Sequence, residues 1–307
     1  MTTYIIRRTL TSAVTLLVVA VVVFALSRMI GNPVNMYLDP SATADDRERL
    51  TRALGLDQPY IVQFGAFAFR AVFFGDLGRS FHFSRPVTEI FFSRFWDTVQ
   101  LGLVSFVFSM ALAVPIGILS AAHRNSWWDW IGRVFVFFGQ ALPSFWLGIM
   151  LILVFAVKFN LVPPAGKEGP ESFILPAITL GWAAAAGVAR MVRSSMLEVL
   201  ATDYIRTARS KGLNEGMVLT RHALKNAMIP AVAYSSVVLV RTFVIGSIVV
   251  ETVFGWPGIG RLAYESTFAR DFPLIQGIVV MIAIIVIGVN LLSDILYGWL
   301  DPRIRYA

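Results

Sequence analysis

The sequence predicts an all-α, polytopic membrane protein with six transmembrane helices. Three observations carry this. Of 307 residues, 57% are hydrophobic and only 15% charged, against roughly 25% charged in a soluble domain. Six separate apolar stretches reach the roughly 20 residues that a helix needs to cross a bilayer. The arginines and lysines crowd the ends of those stretches on one side.

The first stretch, Thr9–Ile30, follows Arg7 and Arg8. It is too long for a signal-peptide core and no small-residue cleavage site closes it, so it reads as a retained helix. Gly31-Asn32-Pro33 stops it. Segment 31–97 is mixed in charge and is expected outside the membrane. Its amphipathic stretches, such as Tyr60–Phe74, suit the membrane surface. The next spans are Thr98–Ala122, Ile131–Val157, Phe173–Val192, Met228–Val250 and Ile275–Trp299. Pro115 is expected to kink the second. Small residues at Gly102, Ser105 and Ser109, and at Ala183–Gly187, read as ordinary close packing between helices.

Orientation follows from the flanking charges. One side collects Arg7, Arg8, Arg124, Arg133, Arg190, Arg193, Arg303 and Arg305. The opposite loops carry Lys158, Lys167, Arg261 and Arg270, offset by five acids from Glu168 to Asp271. Both termini are therefore expected in the cytoplasm. The net charge of +7 belongs to this asymmetry and implies no nucleic-acid partner.

Catalytic signatures are absent from the sequence. There is no cysteine, hence no disulfide and no thiolate metal site. His82, His123 and His222 fall in three separate loops, and no HExxH occurs. Gly166-Lys167 looks like the end of a phosphate loop, but Leu161 stands where its first glycine belongs. With no GxxxxGK[ST] and no GxSxG, the chain reads as a non-enzyme without cofactor, metal or nucleotide site of its own.

A polar, basic segment between the fourth and fifth spans, 203–226 (DYIRTARSKGLNEGMVLTRHALKN), is too regular to be a connector. Asp203 is placed to cap a helix running to Lys211. Gly212 can take the left-handed conformation that ends it. Asn214 can cap a second helix from Glu215 to about Asn226. A two-helix elbow of this kind is expected to dock something on the cytoplasmic side.

DYIRTARSKGL followed by RHALKNAMIP resembles the cytoplasmic loop of permease subunits of ABC importers, in the dipeptide/oligopeptide/nickel family (B-type permeases). Further matches are LGLDQP at 54–59, GDLGRS at 75–80, ILPAITLG at 174–181, VVETVFGWPGIGR at 249–261 and LDPRIRY at the C-terminus. The resemblance implies a type I importer transmembrane domain over 95–299, after an N-terminal helix at 1–30 and an extracytoplasmic segment at 31–97, with a cytoplasmic tail at 300–307. It implies an inner-membrane location and several partners: a homologous second permease, two ATPase subunits that carry ATP and Mg, and an extracytoplasmic solute-binding protein. The solute implied first is a di- or oligopeptide, with nickel chelates, glutathione, opines or sugars as alternatives.

The same resemblance assigns residues. The loop holds the family's coupling motif, EAAxxxG in its general form. Here Arg206, Thr207 and Ala208 occupy the first three places and Gly212 the last. Asp203, Tyr204, Lys211 and Leu213 complete the expected ATPase-facing set. The acid of the general motif is replaced by Arg206. In the outer loop, Glu251, Trp256, Pro257, Gly258 and Gly260 form a candidate gate or binding-protein contact, tight turns presenting a rigid tryptophan. Arg241 interrupts the fifth span, where a charge costs roughly 3 kcal/mol and marks a functional candidate. With Tyr234 and Gln140 it forms the candidate translocation path. A standalone channel or secondary transporter predicts internal repeats, and an integral-membrane enzyme predicts a catalytic constellation. The sequence shows neither.

Overall fold

The computed structural model describes residues 2–30, 34, 38, 43–53, 55–241 and 247–300. Residues 1–96 with 262–307 pack as one unit and residues 97–261 as another. Among the described residues every regular element is a helix, beside an isolated bridge between Arg79 and Pro86.

In the first unit, α1 (Thr2–Ile30) packs along the last helix, α13 (Phe272–Leu300). The short α2 (Ala44–Ala53) opens on a reciprocal cap. Thr43 Oγ1 accepts from Asp46 N at 3.3 Å, and Asp46 Oδ2 accepts from Thr43 N at 3.2 Å. The apolar α3 (Tyr60–Phe74) buries none of its residues and stops at Gly75, which has φ 63°. Asp271 caps α13 by accepting from Leu274 N at 3.2 Å. Its other oxygen accepts from Ser80 Oγ and from His82 N.

The helix α4 (Val87–Ala122) begins well before the predicted Thr98 and runs unbroken through Pro115. The predicted span Ile131–Val157 is corrected. It is two helices, α5 (Trp127–Ala141) and α6 (Ser144–Leu151, extended by a π turn to Lys158), bent by 105°. The cause lies at Pro143. Its ring pushes the preceding residue out of the helical region, and Leu142 has ψ 125°.

The centre of the second unit is α7 (Ile174–Leu200), against which α5, α6 and α10 pack. Ala185, Ala186, Val188, Ala189 and Val192 are all buried. Small residues set the approach here, as the sequence suggests. A Cβ on Gly181 would stand 2.7 Å from the Ser105 carbonyl on α4.

The chain then folds α8 (Asp203–Ser210), a turn, α9 (Glu215–Met217), a π turn over Val218–Ala223, and α10 (Leu224–Arg241). Helices α11 (Ser247–Val253) and α12 (Ile259–Phe268) follow. By length and composition four described helices can cross a membrane, or five if the bent pair counts as one span. The predicted span Met228–Val250 covers α10 and α11, with residues 242–246 outside the described set.

Candidate coupling elbow and outer clamp

The elbow grows directly out of α7. Thr202, with ψ 156°, is the N-cap of α8, and Asp203 is its first helical residue rather than the cap. Asp203 is still well placed for the helix dipole, and it pairs with Arg206 at 3.3 Å. Helix α8 has two unlike faces. Ile205 and Ala208 are buried in a cluster with Met196 of α7, Val218 and Ala223 of the π turn, and Ala227 of α10. Tyr204, Arg206, Thr207, Arg209, Ser210 and Lys211 are exposed. The close approach that Ala208 permits is therefore to this chain's own core. Leu213 is partly buried against the same cluster.

The bend follows the expected local chemistry. Gly212 has φ 74°, a conformation costly for residues with a Cβ. Its N–H donates to Arg209 O at 2.9 Å. Asn214 Oδ1 accepts from Gly216 N at 2.8 Å and caps the second arm. Two contacts brace the arms. Arg209 donates to both carboxylate oxygens of Glu215, at 2.6 and 3.1 Å. These hydrogen bonds hold Glu215 below the usual carboxylate range. Asn226 Nδ2 donates to the Tyr204 hydroxyl at 2.8 Å. The second arm does not stop near Asn226. It passes through the π turn into α10, so the elbow and the following apolar helix are one continuous rod.

The candidate outer gate residues are held inside the chain. Trp256 is fully buried and presents no free anchor. Its Nε1 donates to Asp97 O at 2.9 Å, its ring meets the edge of Phe173, and Lys167 Nζ lies 5.7 Å from its ring centre. Lys167 also pairs with Asp97 at 2.5 Å. Glu251 is fully buried too. Its Oε1 accepts from Thr98 Oγ1 at 2.7 Å and its Oε2 from Arg261 N at 3.1 Å. Thr98 Oγ1 in turn accepts from Ile259 N at 2.8 Å. Gly258 lies against the Glu251 carboxyl, leaving no room there for a side chain. Gly260 is buried and Pro257 half-buried. These five residues do come together, but as an internal clamp. Turn chemistry was visible in the sequence; the burying partners at 97, 98, 167 and 173 were not.

Of the candidate path residues, Tyr234 and Gln140 both meet α7, at positions four residues apart. Arg241 is the last described residue before 242–246, and its side chain lies outside the described residues. Tyr234 is half-buried beside Gly187 of α7. Gln140 Nε2 donates to Ala183 O at 3.1 Å, a bond between helices.

One cluster escaped the sequence reading. Asp129, at the start of α5, is fully buried. Its carboxylate accepts from Arg193 Nε at 2.8 Å and Nη2 at 3.2 Å, from Ser120 Oγ at 2.7 Å and from Asn125 N at 3.1 Å. A lone acid among Arg124, Arg133 and Arg193 was the available signal.

Apolar helices joined by a braced polar elbow fit a membrane transport subunit. The comparisons make this specific. Residues 113–306 match the family described as binding-protein-dependent transport system inner membrane component, and residues 1–102 match the N-terminal model of the same system. The chain belongs to this family and is a multi-pass inner-membrane permease subunit of an ABC importer. ATP hydrolysis is the work of partner subunits. Glutathione transport system permease protein GsiC is 41% identical over the full length of both chains, in Escherichia coli strain K12 and in Salmonella typhimurium. An inward-facing structure of the MetNI methionine ABC transporter superposes with TM-score 0.58 at 18% identity, covering 70% of this chain and 97% of that one. An amino acid ABC transporter solved with histidines gives TM-score 0.52 at 18% identity, covering 70% and 94%. At that identity the two structures speak for the fold alone.

Proposed function

We propose that the chain forms, with a homologous permease, the translocation path for a small peptide delivered by an extracytoplasmic binding protein. Glutathione is the first candidate within that class, because the full-length GsiC relatives carry it in their name. Both termini and the elbow face the cytoplasm, and of the two ATPase subunits one docks on α8 and the other on the homologous permease.

The two-faced character of α8 carries this reading. Its inner face is held by Ile205 and Ala208, and its outer face offers Tyr204, Arg206, Thr207 and Lys211 to a partner. A load on that outer face is passed to α7 and, through the braced turn, to α10. Gly212→Pro tests it. Proline fixes φ near −65°, which is incompatible with φ 74°. The assembled complex should keep its membrane helices and its ATPase partners but lose transport per ATP by about tenfold or more. Full coupling in that variant refutes the role of the elbow.

Arg241 is assigned to the path, where it attracts the carboxylate of a passing peptide. Support comes from its place inside the apolar run 228–250 and the cost of leaving a charge there unused. Arg241→Met should raise the half-saturating concentration for peptides with a free carboxylate more than for amidated ones. Equal uptake of both, at wild-type rates, removes the assignment.

A further inference from the structure

Two cavities in the first unit adjoin at the end of α1. One, of about 640 Å³, is lined by Arg28, Arg52, Arg70 and Arg79, with Gln63 and Gln276 among its other walls. The second, of about 510 Å³, is almost wholly apolar and runs between Val21, Phe24 and Ala25 of α1 and Tyr60, Ile61 and Phe64 of α3. Phe24 and Arg28 line both.

The polar cavity contains buried hydrogen-bonding atoms without partners. Arg28 Nε, Gln276 Nε2 and Gln63 Oε1 are three such atoms among the described residues, and all three belong to side chains lining it. Gln276 is only 8% exposed. Leaving such a group buried and unpaired is unfavourable, so an occupant that pairs all three is favoured. Two of them donate and one accepts. Arg52 is paired with Glu48, and Asp76 is the carboxylate in the lining. The remaining arginines leave the cavity cationic.

Position completes the argument. Arg28 is the last residue of the apolar span Arg7–Arg28, so it sits where hydrocarbon gives way to headgroups. Beside it α3 is too short to cross a bilayer, yet Ile61 is 85% and Val72 76% exposed. An apolar helix with no buried residue is stable lying in the interface.

We propose that these cavities form a site for one anionic phospholipid. Its phosphodiester sits on Arg28 Nε and Gln276 Nε2, a headgroup hydroxyl donates to Gln63 Oε1, and an acyl chain fills the groove between α1 and α3. A lipid there adds to the ring contacts of Phe24 with Phe64 and Phe67, which already join α1 to α3. The site is independent of the transported solute and stands whether or not the peptide reading holds.

The test is native mass spectrometry of the assembled complex released from nanodiscs of palmitoyl-oleoyl phosphatidylglycerol. Wild type should retain one lipid per copy of this chain through delipidating detergent. Arg28→Gln and Gln276→Leu should each lower retention at least fivefold, and so should Ile61→Asn in the apolar groove. Arg28→Lys, which keeps the charge, should retain more than Arg28→Gln and guards against a folding artefact. The exposed Arg190→Gln should change nothing. Retention unaltered by the Arg28 and Gln276 variants overturns the proposal. Displacement of the lipid by millimolar inorganic phosphate overturns it as well, since the site would then recognise a free anion. A phosphate-insensitive lipid lost equally from the headgroup and groove variants supports it.

Discussion

Glu251 is held by hydrogen bonds from the Thr98 hydroxyl and from the amides of Gly260 and Arg261. It stands one residue beyond the predicted fifth span, 228–250, at the start of the outer loop. Burial nevertheless dominates and, aided by the charge of Asp97, pushes its pKa up to about 7 from 4.5. The folded chain therefore holds a proton that the unfolded chain releases near pH 4.5. The clamp's stability is full below that pH and is lost as pH rises through 7. At about 1.4 kcal/mol per pH unit, the interval from 4.5 to 7 corresponds to an effect on the order of 3 kcal/mol. In Glu251→Gln this pH dependence should largely disappear. Thermal unfolding of the complex at pH 5 and pH 8 measures it: the wild-type midpoint should fall between the two, and the variant's should barely move. An equal fall in both would assign the pH dependence to other groups.

At the scale of elements, Asp129 joins the end of α4, the following loop, the start of α5 and the middle of α7 through one carboxylate. Arg193 lies on the helix that carries the elbow. Removing one partner of such a pair strands the other, at a cost of roughly 3 kcal/mol, whereas replacing both by apolar groups costs far less. Asp129→Asn should thus lower the unfolding midpoint of the complex clearly, and Asp129→Leu combined with Arg193→Met should recover much of the loss. A single variant as stable as wild type would show the pair to be idle. This cluster also marks where the sequence stopped being legible. The elbow could be read because Gly212 and Asn214 act on their own backbone. Even there the cap moved from Asp203 to Thr202, and the inward face of Ile205 and Ala208 needed α7 and α10 to define it. Asp129 and Arg193 are 64 residues apart, and Thr98 and Glu251 are 153 apart. No local pattern pairs them. The bend at Pro143 had a local signal in the proline itself, which the span 131–157 leaves unused.

For the whole molecule, the proposed orientation makes the widest claim: α8 and both termini in the cytoplasm, and the loop holding Glu168 outside. It rests on the uneven distribution of arginine and lysine about the apolar spans. The absence of cysteine gives a clean way to read it, because one introduced thiol is the only one on the chain. Thr207 and Glu168 are both exposed, so neither replacement opens a core. In intact cells with a permeabilised outer membrane, a membrane-impermeant maleimide should label Glu168→Cys within minutes and leave Thr207→Cys unlabelled. Rupturing the inner membrane should expose Thr207→Cys. Purified complex with its ATPase subunits should then protect that thiol at least severalfold relative to the permease alone, since α8 would be covered. Labelling in the reverse order inverts the topology. Correct sidedness without protection would keep the orientation and remove Thr207 from the docking face. The two halves of the proposal, which side the elbow is on and what covers it, are thus separated by one pair of variants.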